Sequence, residues 1–459
     1  MLGDTIAAIS TPPGRAGIGI IRISGKDAVK IAALLFRSPR GQALSSFRPR
    51  YLHYGFIVDP EGEKRVDEVL LSYMPAPRSY TAEDVVEINC HGGFYATRRV
   101  LELVLKAGAR LAEPGEFTKR AFLNGRLDLA QAESVMDIID ARTDKGLSVA
   151  VRQLEGKLSG RLRGCMDRLL SLLAHIEASI DFPEYDIPEL APERIGEECR
   201  LVLREIEDLL ATARTGRIYR EGVETVIVGK PNVGKSSLLN ALLREQRAIV
   251  TELPGTTRDV IEEYLNVKGV PLKIIDTAGI REAKDLVEQI GIEKAKEYLQ
   301  RADLILFVVD VGQGITEEDE EIISFLSGRK CIVVINKIDI KEPDPEFLRR
   351  LPPGCPVVRI SVLENRGLEE LEDTILRMVV DENIDPVSDV VVSNLRHQQA
   401  LEKARRHLQE VLAGLENGED LDLLAIDLRA AWESLGEITG ETIDESIVDQ
   451  IFSQFCIGK

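Results

Sequence analysis

Cysteine is sparse in this chain and never grouped. Its six copies, Cys90, Cys165, Cys199, Cys331, Cys355 and Cys456, are widely scattered. No two form C-x-x-C and no histidine stands at zinc-ligand spacing, which argues against a disulfide framework or a structural metal site. Most read as small core residues. Long apolar runs are also lacking. The longest, such as LILFVVDV and CIVVIN, reach strand length and fall well short of the roughly 20 residues a membrane-spanning helix needs. The start, MLGDTIAAISTPPG, lacks the basic and then apolar order of a secretory signal, so a cytoplasmic location with no membrane partner is expected. Positive charge is in deficit: the net charge of -19 opposes broad affinity for a polyanion. Any RNA contact must then be local, at basic clusters such as RRVLELVLKAGAR, RLRGCMDR or EKARRH. No repeat or low-complexity segment appears.

What is present is an ordinary globular composition, 44% apolar over 459 residues, enough for several cores. From Thr5 to about Gly115, short β-branched runs (TIAAIST, GIGIIRISG, VDEVLLSYM, DVVEINC) alternate with helical patterns (GKDAVKIAALLF, FYATRRVLELVLKAG), as in a small α/β domain. Long stretches with apolar residues three and four apart follow to about Arg217, broken only at the proline-marked DFPEYDIPELAPE. Near Glu221 the period changes to strand, loop and helix units: ETVIVGK, LKIIDTAG, DLILFVVDV, KCIVVINKID and CPVVRIS. Such units build a mostly parallel sheet covered on both faces. Helical periodicity returns from about Val390 to the end. The expected division is an N-terminal domain over 1–118, a helical domain in two segments, 119–217 and 383–459, and an inserted α/β domain over 218–382.

GKPNVGKS, Gly229 to Ser236, follows a strand and opens a helix, the setting in which G-x-x-x-x-G-K-[ST] binds phosphate. Glycines let backbone N–H groups curl around phosphates, the helix N-terminus adds a positive end, Lys235 reaches the outer phosphates and Ser236 offers a hydroxyl to Mg²⁺. DTAG places Asp276 to hold Mg²⁺ through water and the Gly279 N–H to meet the γ-phosphate. In NKID, Asp339 accepts from the ring N–H and amine of guanine, which selects GTP over ATP by the penalty of unpaired groups. TELPGTTRD supplies Thr257 as a second Mg²⁺ hydroxyl on a loop suited to order around the γ-phosphate. Where Ras-type proteins carry the glutamine that orients water, this chain has Ile280, so another group must serve. The residues alone leave Glu282, Asp285, Glu288 and Glu293 open.

These motifs, with TPPGRAGIGIIRISG, GEFTKRAFLNGRLDLAQAE, IDFPE, VEQIGIEKA, GEITGE and the ending FCIGK, resemble the tRNA modification GTPase MnmE (TrmE) family over essentially the whole chain. The resemblance implies a tetrahydrofolate-binding-like N-terminal domain, a discontinuous helical domain and an inserted Ras-like P-loop G domain. It implies a guanine-nucleotide set of Asn232, Val233, Gly234, Lys235, Ser236 and Ser237, then Thr251, Glu252, Leu253, Pro254, Gly255, Thr256 and Thr257. Asp276, Thr277, Ala278 and Gly279, then Asn336, Lys337, Ile338 and Asp339, then Ser361, Val362 and Leu363 complete it. Mg²⁺ would sit at Ser236 and Thr257. A K⁺ ion at Asn232, Thr251, Leu253 and Thr256 would stimulate hydrolysis, consistent with a cation neutralising charge beside the phosphates, and Glu288 would orient water. The family's guanine-supporting SA-K/R stretch departs here to ISVLENRG, which puts any side-chain role of Val362 and Leu363 in doubt.

The resemblance further implies a homodimer that joins an MnmG (GidA)-type FAD protein in a heterotetramer and modifies C5 of the wobble uridine of certain tRNAs. Carbon would come from 5,10-methylene-tetrahydrofolate, of which 5-formyltetrahydrofolate is an analogue. Arg22, Glu83, Arg126 and Lys459 are the matching folate positions, suited by type to a pterin edge and to carboxylates. Cys456 would take part in the chemistry. A plainer reading makes Cys456 a buried residue closing the stripe Ile447, Ile451 and Phe455 on a last helix. The alternative function is a GTP-dependent binding switch in ribosome assembly, whose G domains share PNVGKSSLLN but which lacks the N-terminal block and the CIGK ending.

Overall fold

The computed structural model describes residues 3–41, 48–181, 191–245, 263–275, 300–380, 384–385 and 390–459. In chain order the described elements begin with β1 (Ile6–Ile9), β2 (Gly19–Ser24), α1 (Ala28–Leu35), β3 (Phe36–Arg37), β4 (His53–Asp59), β5 (Lys64–Met74), β6 (Val85–Cys90), α2 (Phe94–Lys106) and β7 (Arg110–Leu111). Helices α3 (Glu116–Leu123), α4 (Leu129–Asp140), α5 (Asp144–Leu154), α6 (Lys157–Asp181) and α7 (Pro192–Glu221) follow. Then come β8 (Val223–Val228), α8 (Lys235–Glu245), β9 (Glu263–Val267), β10 (Val270–Ile274), β11 (Leu304–Asp310), α9 (Glu317–Leu326), β12 (Cys331–Asn336), α10 (Pro345–Arg349), β13 (Val357–Arg359) and α11 (Leu368–Val379). The chain finishes with α12 (Leu395–Asn417), α13 (Leu421–Thr439) and α14 (Glu445–Ser453). Two compact units result: Met1–Met136 with Gly436–Lys459, and Asp137–Leu435.

The first unit is built on a seven-stranded sheet in the order β3-β4-β5-β6-β2-β1-β7. Its pairs are antiparallel except β1 with β7. Alternation along β2 decides what each face carries. Ile21 and Ile23 join Val86, Ile88, Val100, Leu103 and Val104 in a core between the sheet and α2, each buried aliphatic side chain contributing about 1.5–3 kcal/mol. Arg22 and Ser24 therefore point to the opposite face. On that side Ile6, Ala8, Ala112 and Phe117 form a smaller cluster with Tyr80 packed on it. A third cluster joins Leu129 and Ala132 to Val448, Phe452 and Phe455, so the end of the chain is held by apolar contact. Strand β4, HYGFIVD, carries no clean alternation and was not among the expected strands; its place comes from pairing with β5.

The second unit carries a six-stranded sheet, β13-β12-β11-β8-β10-β9, parallel except for β9 against β10. Strand β11 is buried on both faces. Leu304, Leu306 and Val308 enter one core and Ile305, Phe307 and Val309 the other, which is why its sequence is continuously apolar. The expected doubly covered sheet is thus present. Helices α7 and α12 pack along each other, with buried stripes of Cys199, Val202, Ile206 and Leu209 on one and Ala400, Leu401, Ala404, Leu408 and Val411 on the other. Among the described residues no helix is long and apolar enough to cross a membrane.

Candidate functional site

The parallel sheet brings the phosphate and base motifs to the carboxyl ends of β8 and β12, which flank β11, at the edge where ligands of open α/β sheets lie. The loop from β8 to α8 turns through Asn232 at φ 63° and Gly234 at φ 103°. A Cβ on Gly234 would collide with the Asn336 amide, so only glycine allows this approach. The half-buried Nζ of Lys235 donates to the carbonyls of Gly229 and Lys230, at 2.6 Å each. Burial alone pulls its pKa below the ordinary lysine range. A half-buried ammonium whose acceptors, among the described residues, are carbonyls is a fit for polyphosphate, whose charge favours the protonated form.

Asn336 ties the phosphate end to the base end. Its Nδ2 donates to the Val233 carbonyl at 2.9 Å, and its Oδ1 accepts from the Val362 N–H at 3.4 Å. Lys337, at φ 65°, donates to the Asn232 carbonyl at 3.0 Å and to Asp310 Oδ2 at 2.7 Å. Ile338 is buried beneath the loop. Asp339 is exposed, and its Oδ1 accepts from the buried Ser361 hydroxyl at 2.5 Å. The same hydroxyl accepts from the Glu364 N–H at 3.2 Å. One oxygen of the Asp339 carboxylate is thereby fixed. Leu363 is 87% exposed and brings no polar group. Ser236 and Ser237 open α8. Thr251, Glu252, Leu253, Pro254, Gly255, Thr256, Thr257, Asp276, Thr277, Ala278, Gly279 and Glu288 lie outside the described residues. Sequence reasoning missed Asp310, which anchors Lys337; an aspartate ending a strand carries no motif.

In the first unit, Arg22, Glu83 and Arg126 come from distant stretches to the sheet face opposite α2. Arg22 pairs with its cross-strand neighbour Glu87, at 2.9 Å. Its guanidinium lies 5.1 Å from the Tyr80 ring centre and 5.7 Å from that of Phe117. Arg126 covers Tyr80 as well, at 4.8 Å. Glu83 accepts from the Ser24 hydroxyl at 2.7 Å and from the buried Arg120 at 3.2 Å. Burial lowers the Arg120 pKa, but the hydrogen bonds it donates to Glu116 and Asp4 outweigh it and the net shift is upward. Tyr80, Phe117 and Arg120 carry no sequence signal of their own, and only the fold assembles them.

The tail completes this face. Ile457 bridges Pro114, and the Gly458 carbonyl accepts from Arg22 and from the Ser10 hydroxyl, both at 3.2 Å. Gly458 sits at φ 93°, where an added Cβ would stand 2.5 Å from the Ile9 carbonyl. Burial, then repulsion from Arg22, lowers the pKa of Lys459, with Cys456 and Glu87 opposing. Cys456 itself is exposed. The buried-stripe expectation fails here: α14 stops at Ser453, its buried residues are Val448 and Phe452, and Ile447 is 42% exposed. The chain leaves the helix before Cys456, turning the thiol to solvent. The other cysteines are buried except Cys355, which is half-buried.

Fold and loop together define a P-loop GTPase with an unrelated sheet unit attached. Residues 5–126 match the model described as "GTP-binding protein TrmE N-terminus" and residues 129–456 the model "MnmE helical domain". The chain is 55% identical to the tRNA modification GTPase MnmE of Desulforamulus reducens, covering 100% of both chains. It is 54% identical to that of Geobacillus kaustophilus, covering 99% of both. Among solved structures it is similar to Era in complex with MgGDPNP and 16S ribosomal RNA, at 35% identity over 40% of this chain and 66% of that one, with a TM-score of 0.27. The chain belongs to the MnmE (TrmE) family.

Proposed function

We propose that this chain is a GTP hydrolase of tRNA modification that couples a nucleotide site in one unit to one-carbon chemistry in the other. In this reading Asn232 to Ser237 hold the phosphates, Asp339 and the Ser361 to Leu363 segment read guanine, and Ser236 with Thr257 would hold Mg²⁺. The Mg²⁺ ion supplies neutralisation of charge on the β- and γ-phosphates. K⁺ at Asn232, Thr251, Leu253 and Thr256 stimulates hydrolysis, Glu288 orients water, and residues 218–382 act as the G domain between the two helical segments. Support comes from family membership and from the linkage of phosphate and base loops through Asn336.

Arg22, Glu83, Arg126 and Lys459 bind a tetrahydrofolate in this proposal, with Cys456 exposed beside them for the transfer. With an MnmG-type flavoprotein and as a homodimer, the protein would place an aminomethyl-type group on C5 of the wobble uridine of tRNA. The observation that carries this reading is the return of Gly458 and Lys459 to the Arg22 face. Two basic side chains stacked on Tyr80 beside a fixed carboxylate match a pterin with a carboxylate tail. The test is titration with 5-formyltetrahydrofolate of the full chain and of a form lacking the last four residues. Binding by the full chain only is expected; equal binding by both would remove the tail from the site. Unchanged wobble uridines in tRNA nucleosides after depletion would reject the enzyme in favour of a ribosome-assembly switch.

A further inference from the structure

Lys230, the second residue of the phosphate loop, is 7% exposed, and Asp319 is fully buried. Lys230 Nζ lies 2.8 Å from Asp319 Oδ2 and donates to Thr316 Oγ1 at 3.0 Å. Asp319 Oδ2 also accepts from the Thr316 N–H at 2.9 Å, closing the capping box that starts α9. The other oxygen, Oδ1, is buried with no hydrogen-bond partner among the described residues. Desolvating two ions while leaving one oxygen unpaired is costly, and an apolar pair of similar volume is often as stable. Stability is therefore a poor reason for this pair.

Its geometry offers a better one. The Lys230 side chain is tied to the first turn of α9, while its own backbone carbonyl, with that of Gly229, takes the Lys235 ammonium. We propose that Lys230 is a positioning residue for phosphate recognition: anchored by Asp319, it fixes the two carbonyls that set Lys235 toward the outer phosphates of the nucleotide. The proposal rests on the reading of this loop as the GTP site. It assigns Lys230 no contact with the ligand. A phosphate loop without this anchor keeps its motif and loses its pre-set shape, and a loop ordered only on binding gives up affinity for that ordering.

The test uses the full chain carrying Lys230→Met with Asp319→Asn, which removes both charges, changes the volume little and keeps an acceptor for the Thr316 N–H. Thermal melting near that of the parent is expected, with GTP affinity in Mg²⁺ weakened about tenfold. The preference for GTP over ATP should be unchanged, because the base loop is untouched. Lys230→Met alone leaves Asp319 buried without its cation and should lower both melting temperature and affinity. A double variant binding GTP within twofold of the parent overturns the anchor, as does loss of base preference in step with affinity. Should the double variant not fold, Thr316→Val removes one contact of the anchor. A roughly threefold weakening then supports the proposal and parity overturns it. Absence of GTP binding by the unaltered chain overturns the GTP reading and the anchor with it, whereas parent-like binding by the double variant overturns the anchor alone.

Discussion

The two sites are made from different materials. At the nucleotide end the groups come from short contiguous stretches, Gly229 to Ser237 and Asn336 to Asp339, and many of the interactions are with backbone: Lys235, Asn336 and Lys337 all donate to loop carbonyls. On the Arg22 face the groups are mostly side chains, joined by the Gly458 carbonyl, drawn from positions 10 to 459, and the polar contacts run between elements distant in sequence. Parallel strands explain the first, since every βα loop emerges at the same sheet edge. The second depends on the chain's own end folding back, a contact that closes a loop of more than four hundred residues between Ser10 and Gly458. Such a contact pays in loop entropy for what it gains, so it rests on the apolar cluster of Phe452 and Phe455 behind it.

This difference predicts unequal sensitivity to small changes. The largest effect is expected for Lys235→Ala, which removes the half-buried ammonium proposed to meet the phosphates. GTP hydrolysis should fall by roughly a hundredfold or more in kcat/KM. Binding of 5-formyltetrahydrofolate should be unaltered, since the residues proposed to bind it lie in the other unit. A smaller effect, about a tenfold loss of 5-formyltetrahydrofolate affinity, is expected for Gly458→Ala, which forces a side chain into a left-handed backbone against the Ile9 carbonyl. A parent-like titration would show that the tail is not fixed through Gly458. The third outcome is a contrast within one molecule. Burial pushes the thiols of Cys90 and Cys165 up to about 11 and that of Cys199 up to about 12. Iodoacetamide at pH 8 should therefore label the exposed Cys456 at least about tenfold faster than these three. Equal labelling would contradict the exposed tail.

Much of the nucleotide end was legible because each motif is local and its chemistry is carried by residue type and spacing. The strand before Gly229 and the helix after it follow from apolar periodicity, and Asn336 and Asp339 follow from their place at a strand end. Asp310 and the Lys230 anchor were not legible, because an ion pair between distant segments leaves no spacing to read. In the first unit, alternation along GIIRIS sends Arg22 and the isoleucines to opposite faces, yet nothing in that alternation says that Tyr80, Arg126 and the Gly458 carbonyl wait on the same side. Cys456 shows the limit most directly. Its apolar neighbours suggested burial, and the end of α14 at Ser453 turned it outward.

By itself the sequence determined the parallel sheet with its glycine-rich loop, the NKID stretch at a strand end, the long helices and the family, since each depends on periodicity or on residues adjacent in the chain. Only the tertiary structure decided which side chains stand beside Glu83 and Arg22, that the last two residues return to that face, and that Lys230 is tied to Asp319. Those contacts join segments far apart along the chain, and their free energy is set by packing and burial around them, quantities that no local pattern encodes.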